Sequence, residues 1–335
     1  MGSLAFWQVS GFCCILFMMF MYSILDGFDL GMGMLLGFVA RNDKEKRTLL
    51  ASIAPFWDGN EVWLVIAASV LFALFPPVYS SLLPSFYLLF TATILIFMCR
   101  AISLELSYGK NQLSGPWLAL FSVASFLAAF LGILFLAVIV CGVPTTAGGV
   151  LRLRPEDVVR LPAAVFTASW LLLLLLHSIA YLTCKSSGAL RERLLGCGSV
   201  LWLLFVVLLP IGFLLIGLDH PEMSAKPAVL SGVSITILGS VLYRLSLRQA
   251  RGQAMFASSA LAMGGLWTVV GGSVFPSVAN PLGQGDPAIT IYNSSAPLGT
   301  MRLVVTFSLV GMAAIIAYVM YVYGVLGGRR ETETE

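Results

Sequence analysis

The sequence predicts an all-α integral membrane protein of about nine transmembrane helices, and three observations predict it. The 335 residues are 59% hydrophobic and only 10% charged, with a mean hydropathy of +0.95, values outside the range of water-soluble globular domains. The apolar runs between charged clusters are long enough, at roughly 20 residues per ~30 Å of hydrocarbon, to cross a bilayer as helices. They are also continuous, without the residue-by-residue alternation of a β-barrel, the other architecture that satisfies its backbone within lipid.

The first span is expected at Leu4 to Ala40. Its opening, MGSLAFWQVSGF, has no basic region and no small-residue cleavage pattern, so it reads as a span and not as a signal peptide. The second, Leu49 to Phe75, contains Pro55, a residue suited to the first turn of a helix. The third, Tyr79 to Tyr108, carries Arg100 and Glu105, and the fourth runs from Gly115 to Gly142. After a connection at Val143 to Pro155, five spans follow: Glu156 to Cys184, Arg191 to Leu218, Lys226 to Arg248, Gln253 to Phe275 and Gly299 to Gly327. The last is preceded by a Pro-, Gly-, Ser- and Asn-rich connection, Pro276 to Pro297.

With the N-terminus outside, fourteen of the nineteen Lys and Arg residues fall on the inner side, among them Arg41, Lys44, Lys46, Arg47, Arg191 and Arg193. The positive-inside bias therefore predicts a periplasmic N-terminus and a cytoplasmic C-terminus, which requires an odd number of spans. Residues 1–335 form one polytopic membrane domain, with neither a soluble module nor a nucleic-acid-binding pattern.

Many tempting signals have a plain reading. The six cysteines form no CxxC pair and no haem-attachment motif, and are expected as small packing residues. GMGMLLG, Gly31 to Gly37, has the wrong spacing for a dinucleotide fingerprint and lies inside an apolar helix, where it promotes close helix packing. Asn293-Ser-Ser matches a glycosylation sequon at chance frequency. Of the two histidines, His177 lies within a span and His220 in a connection; His177 is expected as a hydrogen-bonded core residue more than as a haem ligand. The sequence holds no Ser-His-Asp set, metal cluster or phosphate loop, so the polypeptide is not expected to be catalytic alone.

The chemistry is expected among five acids that solvation does not explain. Asp26 and Asp29 lie in the first span, Asp58 and Glu61 near the start of the second, and Glu105 on the third beside Arg100. Acids three apart share a helix face, and on the first span Tyr22, Asp26, Asp29, Gly33 and Gly37 form one stripe, expected to be buried against protein. From the expected helix ends and a rise of ~1.5 Å per residue, Asp26, Asp29 and Glu61 lie roughly 15 to 20 Å in, and Arg100 about 15 Å in, so the charges meet at one level. An ionised carboxylate at that depth costs about 2.5 to 3.5 kcal/mol on the gentlest scale, so a crowded set needs cations, water or protons. A proton relay is one reading. The plain one is that Asp58 and Glu61 complement a helix dipole and that Arg100 and Glu105 make a structural ion pair.

LDGFDLGMG, Leu25 to Gly33, and APFWDGNEVWL, Ala54 to Leu64, resemble the two signature segments of subunit II of cytochrome bd-type quinol oxidases. Weaker likeness continues through FMCRAISLEL, Phe97 to Leu106, and ITIYNSSAPLGTMRL, Ile289 to Leu303. The chain is similar in size to the compact subunit II of the cyanide-insensitive branch. It departs from the family pattern at Leu104 and Ser107, which stand where an aromatic residue and an arginine often flank the third-span acid.

The resemblance implies a fold of two four-helix bundles plus one peripheral helix. It implies a quinol:oxygen oxidoreductase of the bacterial cytoplasmic membrane that reduces O2 to water and builds a proton-motive force without pumping. Subunit I, the heterodimer partner, would carry two b haems and one d-type haem. Subunit II would ligate none and would stabilise subunit I, with lipid, quinone and a small single-helix accessory subunit as further neighbours. Carried over position by position, a cytoplasmic proton route falls on Asp26, Asp29 and Asp58, with Glu61 behind them. Gly27, Gly31, Gly33, Trp57, Asn60 and Trp63 match motif positions and are expected to pack and hydrogen-bond at interfaces. Two alternatives stand beside this reading: a proton-coupled secondary transporter, and a purely structural assembly subunit whose acids only dock a partner.

Overall fold

The computed structural model describes residues 2–108, 113–144, 151, 153, 155–278 and 288–327; parts of the two longest expected connections lie outside them. The helices are α1 (Gly2–Val39), α2 (Asp43–Ile53), α3 (Trp57–Leu74), α4 (Pro76–Ser85), α5 (Tyr87–Tyr108), α6 (Gly115–Cys141), α7 (Pro155–Val158), α8 (Leu161–Lys185), α9 (Gly188–Asp219), α10 (Pro221–Ser224), α11 (Pro227–Arg248), α12 (Gly252–Val274) and α13 (Leu298–Gly327). Among the described residues nine are long and apolar enough to cross a membrane: α1, α3, α5, α6, α8, α9, α11, α12 and α13.

Two of the expected spans are broken. Proline has no N–H to donate and its ring crowds the preceding turn, so the helix that was to run from Leu49 stops at Ile53. The chain turns through Ala54, Pro55 and Phe56, where Phe56 N–H donates to the Ile53 carbonyl at 2.8 Å, and α3 starts at Trp57. Pro55 thus lies in the turn before the helix and not in its first turn. The span expected from Tyr79 is likewise split at Phe86, leaving α4 as a short helix opened by Pro76 and Pro77. Elsewhere prolines begin helices as their fixed φ allows, at α6, α8 and α11. Gly142, at φ +100°, ends α6 in a conformation closed to most side chains.

α1 is the central element. It packs against α3, α6, α8, α12 and α13. The helices form two four-helix bundles, α1, α3, α5 and α6 in one and α8, α9, α11 and α12 in the other, joined where α1 and α6 meet α8. α13 packs on α1 and α3 at the periphery.

With no hydrophobic force to drive helices together in lipid, close contact comes from small residues and buried hydrogen bonds. The tightest pair is α11 with α12. A Cβ on Gly239 would stand 2.6 Å from the Ala262 nitrogen, and one on Gly232 would stand 2.7 Å from the Gly265 oxygen. Between elements, Trp267 donates to Ser23 (2.9 Å), Trp202 to the Ser240 carbonyl (2.9 Å) and Tyr243 to the Leu176 carbonyl (2.8 Å). An apolar cavity of about 570 Å³, lined by residues such as Trp170, Trp202, Pro210 and Val233, lies within the second bundle and carries no ionisable side chain.

The basic side chains gather at one end of the bundle, around the junctions α1–α2, α8–α9 and α11–α12. There Arg193 donates to the Val39 carbonyl at 3.0 Å, neutralising the C-terminus of α1, and pairs with Glu45 at 2.6 Å. Asn42 caps α2 by accepting from the Glu45 N–H. At the opposite end Arg160 bridges the Cys141 carbonyl and Asp219, both at 2.8 Å, and His220 Nε2 lies 3.0 Å from the same carbonyl.

A buried carboxylate cluster

The site is built where α1, α3 and α5 converge. Asp26 and Asp29 on α1 and Arg100 on α5 are each 0% exposed. Arg100 spans two helices: Nη2 holds Asp26 Oδ1 at 3.0 Å, and Nη1 makes a short contact with Glu61 Oε1 on α3. Asp29, one turn along, accepts from Asn60 Nδ2 at 2.7 Å. The Asn60 amide also reaches the Leu25 carbonyl (3.3 Å) and the hydroxyl of Tyr323 (3.2 Å), which comes in from α13. Three side-chain atoms of the cluster, Asp26 Oδ2, Asp29 Oδ1 and Arg100 Nε, are buried without a hydrogen-bond partner.

Glu61 is the member of the ion-paired set that reaches the surface, with 23% of its side chain exposed. Asp58, one turn nearer the start of α3, is exposed in its first turn. The dipole reading therefore suits the placement of Asp58 but not of Glu61, which is committed to Arg100.

The depth expected for Glu61 is corrected. Because α3 begins at Trp57, Glu61 lies only about 6 Å from its end. Eighteen residues give α3 about 27 Å, close to the ~30 Å hydrocarbon thickness, so the cluster sits toward the basic end of the membrane and not near its middle. Helix α1, at 38 residues and about 57 Å, extends well beyond the hydrocarbon.

The expected pair between Arg100 and Glu105 is also corrected. Five residues apart on a helix, the two point about 140° away from each other, so Arg100 turns inward to Asp26 and Glu61 while Glu105 is exposed. The expected glycine stripe holds only in part. A Cβ on Gly33 would stand 2.6 Å from Ser125 Cβ on α6, and one on Gly31 would stand 2.7 Å from Ser178 Cβ on α8. Gly27 faces Leu174 and Met263 at ordinary contact distance, and among the described residues nothing lies within 4 Å of where a Cβ on Gly37 would stand.

Trp63 is fully buried with its indole nitrogen unpaired, and Trp57 is half-buried. Asn60, expected to pack and hydrogen-bond at an interface, hydrogen-bonds Asp29 within the chain. Sequence reasoning missed Tyr323; nothing in the sequence sets it apart from the exposed Tyr318 and Tyr321 on the same helix.

Haem ligation by His177 does not fit. Its Nε2 donates to the Ile24 carbonyl at 3.0 Å and its Nδ1 lies 2.8 Å from the Ser259 hydroxyl, so both ring nitrogens are engaged. Among the described residues no group of three or more His, Cys, Asp or Glu is arranged to hold a metal ion.

The family model for cytochrome bd terminal oxidase subunit II matches residues 7–326. This chain belongs to that family. Cytochrome bd ubiquinol oxidase subunit 2 of Bacillus subtilis is 32% identical over 53% of this chain, and the match spans only about half (53%) of that relative's length. A probable cytochrome oxidase subunit 2 of Haemophilus influenzae is 24% identical, covering 92% of this chain and 91% of its own. Cytochrome bd-I ubiquinol oxidase subunit 2 of Escherichia coli is 35% identical over 39% of this chain and 35% of its own length. The structure of bd oxidase from Geobacillus thermodenitrificans contains a chain that matches the fold with a TM-score of 0.82, at 17% identity over 96% of this chain and 99% of that one. Within this subunit II, both signature segments meet in the cluster: the first supplies Asp26 and Asp29, and the second supplies Asn60 and Glu61.

Proposed function

We propose that this subunit II works beside a haem-bearing subunit I in a bacterial quinol:oxygen oxidoreductase, stabilising that partner and lining a proton route from the cytoplasm. The observation that carries the reading is the salt-bridged triad of Asp26, Arg100 and Glu61 with Asp29 one turn away. Two carboxyls share one guanidinium and a third lies one turn away, all on helices long and apolar enough to cross a membrane. A single cation does not compensate three carboxylates there, so protons supply the missing charge.

Asp58, exposed at the start of α3, receives protons at the basic end, which the positive-inside bias makes cytoplasmic. Glu61, one turn in and partly exposed, takes them next, and Arg100 holds its carboxyl against the same fork as Asp26. A proton arriving on Glu61 weakens its hold on the guanidinium and strengthens that of Asp26; the reverse shift lets the proton pass on. The unpaired Asp26 Oδ2 and Asp29 Oδ1 are the acceptor atoms that a proton or a water would use.

In the complex, subunit I supplies two b haems, a d-type haem and the quinol site, and there O2 is reduced to water. Protons drawn through this chain from the cytoplasm, with quinol protons released on the other side, build a proton-motive force without pumping. A direct test strips subunit I from the purified complex and records reduced-minus-oxidised spectra of the tagged chain. Haem bands should leave with the partner, whereas haem retained by the isolated chain would overturn the division of labour.

A further inference from the structure

We propose that Tyr323, on the peripheral helix α13, is a positioning residue for Asp29 that acts through the amide of Asn60; this rests on reading the cluster as a proton route. Asn60 Nδ2 lies 2.7 Å from Asp29 Oδ2 and 3.3 Å from the Leu25 carbonyl oxygen, which accounts for both of its hydrogens. The Tyr323 hydroxyl lies 3.2 Å from Nδ2 and 3.3 Å from Oδ1. With the amide hydrogens aimed elsewhere, its role is to donate to Oδ1, and among the described residues this is the one hydrogen bond that oxygen receives.

The order of donors then follows from chemistry. Tyr323 O–H gives to Asn60 Oδ1, and Asn60 Nδ2–H gives to Asp29 Oδ2. An amide turned the other way would set Oδ1 against a carboxylate oxygen, acceptor against acceptor, with the Asp29 side chain fully buried and its Oδ1 already unpaired. The Leu25 carbonyl and Asp29 thus set the amide orientation, and the hydroxyl, bonded to the amide oxygen, holds the amide in place against Asp29. Its own position is fixed by the ring, which stacks on Phe56 at 4.1 Å and 13°. Phe56 is the N-cap of α3, and its carbonyl accepts from the Asn60 N–H at 3.1 Å. One aromatic stack therefore ties α13 to the turn that launches the acid-bearing helix.

The experiment uses the haem-replete complex, reading quinol-driven oxygen consumption together with the infrared carboxyl band that disappears in Asp29→Asn. Tyr323→Phe keeps the ring stack and removes only the hydroxyl. It is expected to shift the Asp29 band and to lower turnover about fivefold, the net worth of one neutral hydrogen bond. On an Asn60→Leu background, or Asn60→Ala if Leu blocks assembly, the same substitution should change neither readout further. An unmoved band in Tyr323→Phe, or effects of the two substitutions that simply multiply, would overturn the proposal. Full turnover in Asp29→Asn would instead remove Asp29 from the proton route, while the band shift in Tyr323→Phe would still report the hydroxyl's hold on the amide that faces Asp29.

Discussion

Arg100 is the residue on which the cluster balances. It is buried, reaches carboxylates on two other helices, and leaves both of them uncompensated if it is lost. Removing one partner of a buried ion pair typically costs about 3 to 5 kcal/mol, so Arg100→Gln should sharply lower the amount of assembled, haem-containing complex recovered from membranes. Arg100→Lys should restore it only in part, because a point charge cannot hold two carboxylates with a planar fork. Recovery at the parent level in Arg100→Gln would mean that the acids do not depend on that cation. The sequence made the level of this residue legible, because helical rise alone brings Arg100 near the acids. Its choice of partner was not legible, since the nearest acid in sequence, Glu105, lies on the wrong face of the same helix.

At the scale of elements, the breaks and close approaches carry the consequences. Pro55 ends one helix and lets the next start within reach of Asp29, which is why Asn60 and Glu61 reach the first span at all. Pattern reasoning saw the proline but not the turn, because apolar residues flank it on both sides, from Leu49 to Ile53 and at Phe56 and Trp57, and hide the interruption. Helices α11 and α12 meet through glycines, and Gly239→Leu would place side-chain atoms where the backbone of Ala262 and Ser258 stands. A loss of about 1 to 3 kcal/mol is expected from such overpacking, measured as a lower melting temperature of the detergent-solubilised complex; an unchanged value would mean that this contact is not tight in solution.

The junction of α1, α2 and α9 makes a pH-dependent contribution. The Arg41 N–H, at 2.7 Å, and then Arg193 hold the Glu45 carboxyl below its ordinary value of 4.5. A group with a depressed native value stabilises the fold above its unfolded value and loses that contribution as pH falls through the native one. As pH falls from about 5, melting temperature should therefore fall less steeply in Glu45→Gln than in the parent; parallel curves would assign the acid loss to other groups.

At the scale of the molecule, the nine helices among the described residues that can cross a membrane were legible because lipid demands long apolar runs and leaves little else for the chain to be. The convergence of three helices on one cluster was only half legible: the two signature segments identify its members, but Tyr323 arrives from α13, more than 250 residues away, by packing that no local pattern encodes. The orientation proposed here, with the N-terminus periplasmic, rests on the basic residues alone. Tags at the two ends should be reached by membrane-impermeant reagents from opposite sides of the membrane, the N-terminal one from the periplasm, and labelling of both from one side would contradict an odd number of spans.

The role of the buried acids is tested most directly by steady-state quinol oxidation in a complex carrying Asp26→Asn, with haem content matched to the parent by its reduced-minus-oxidised spectrum. If protons for oxygen chemistry pass through this cluster, turnover falls on the order of a hundredfold while the spectrum stays the same, the usual scale for removing a positioned proton carrier. Turnover equal to the parent's, with the haems in place, would leave the acids a purely structural part.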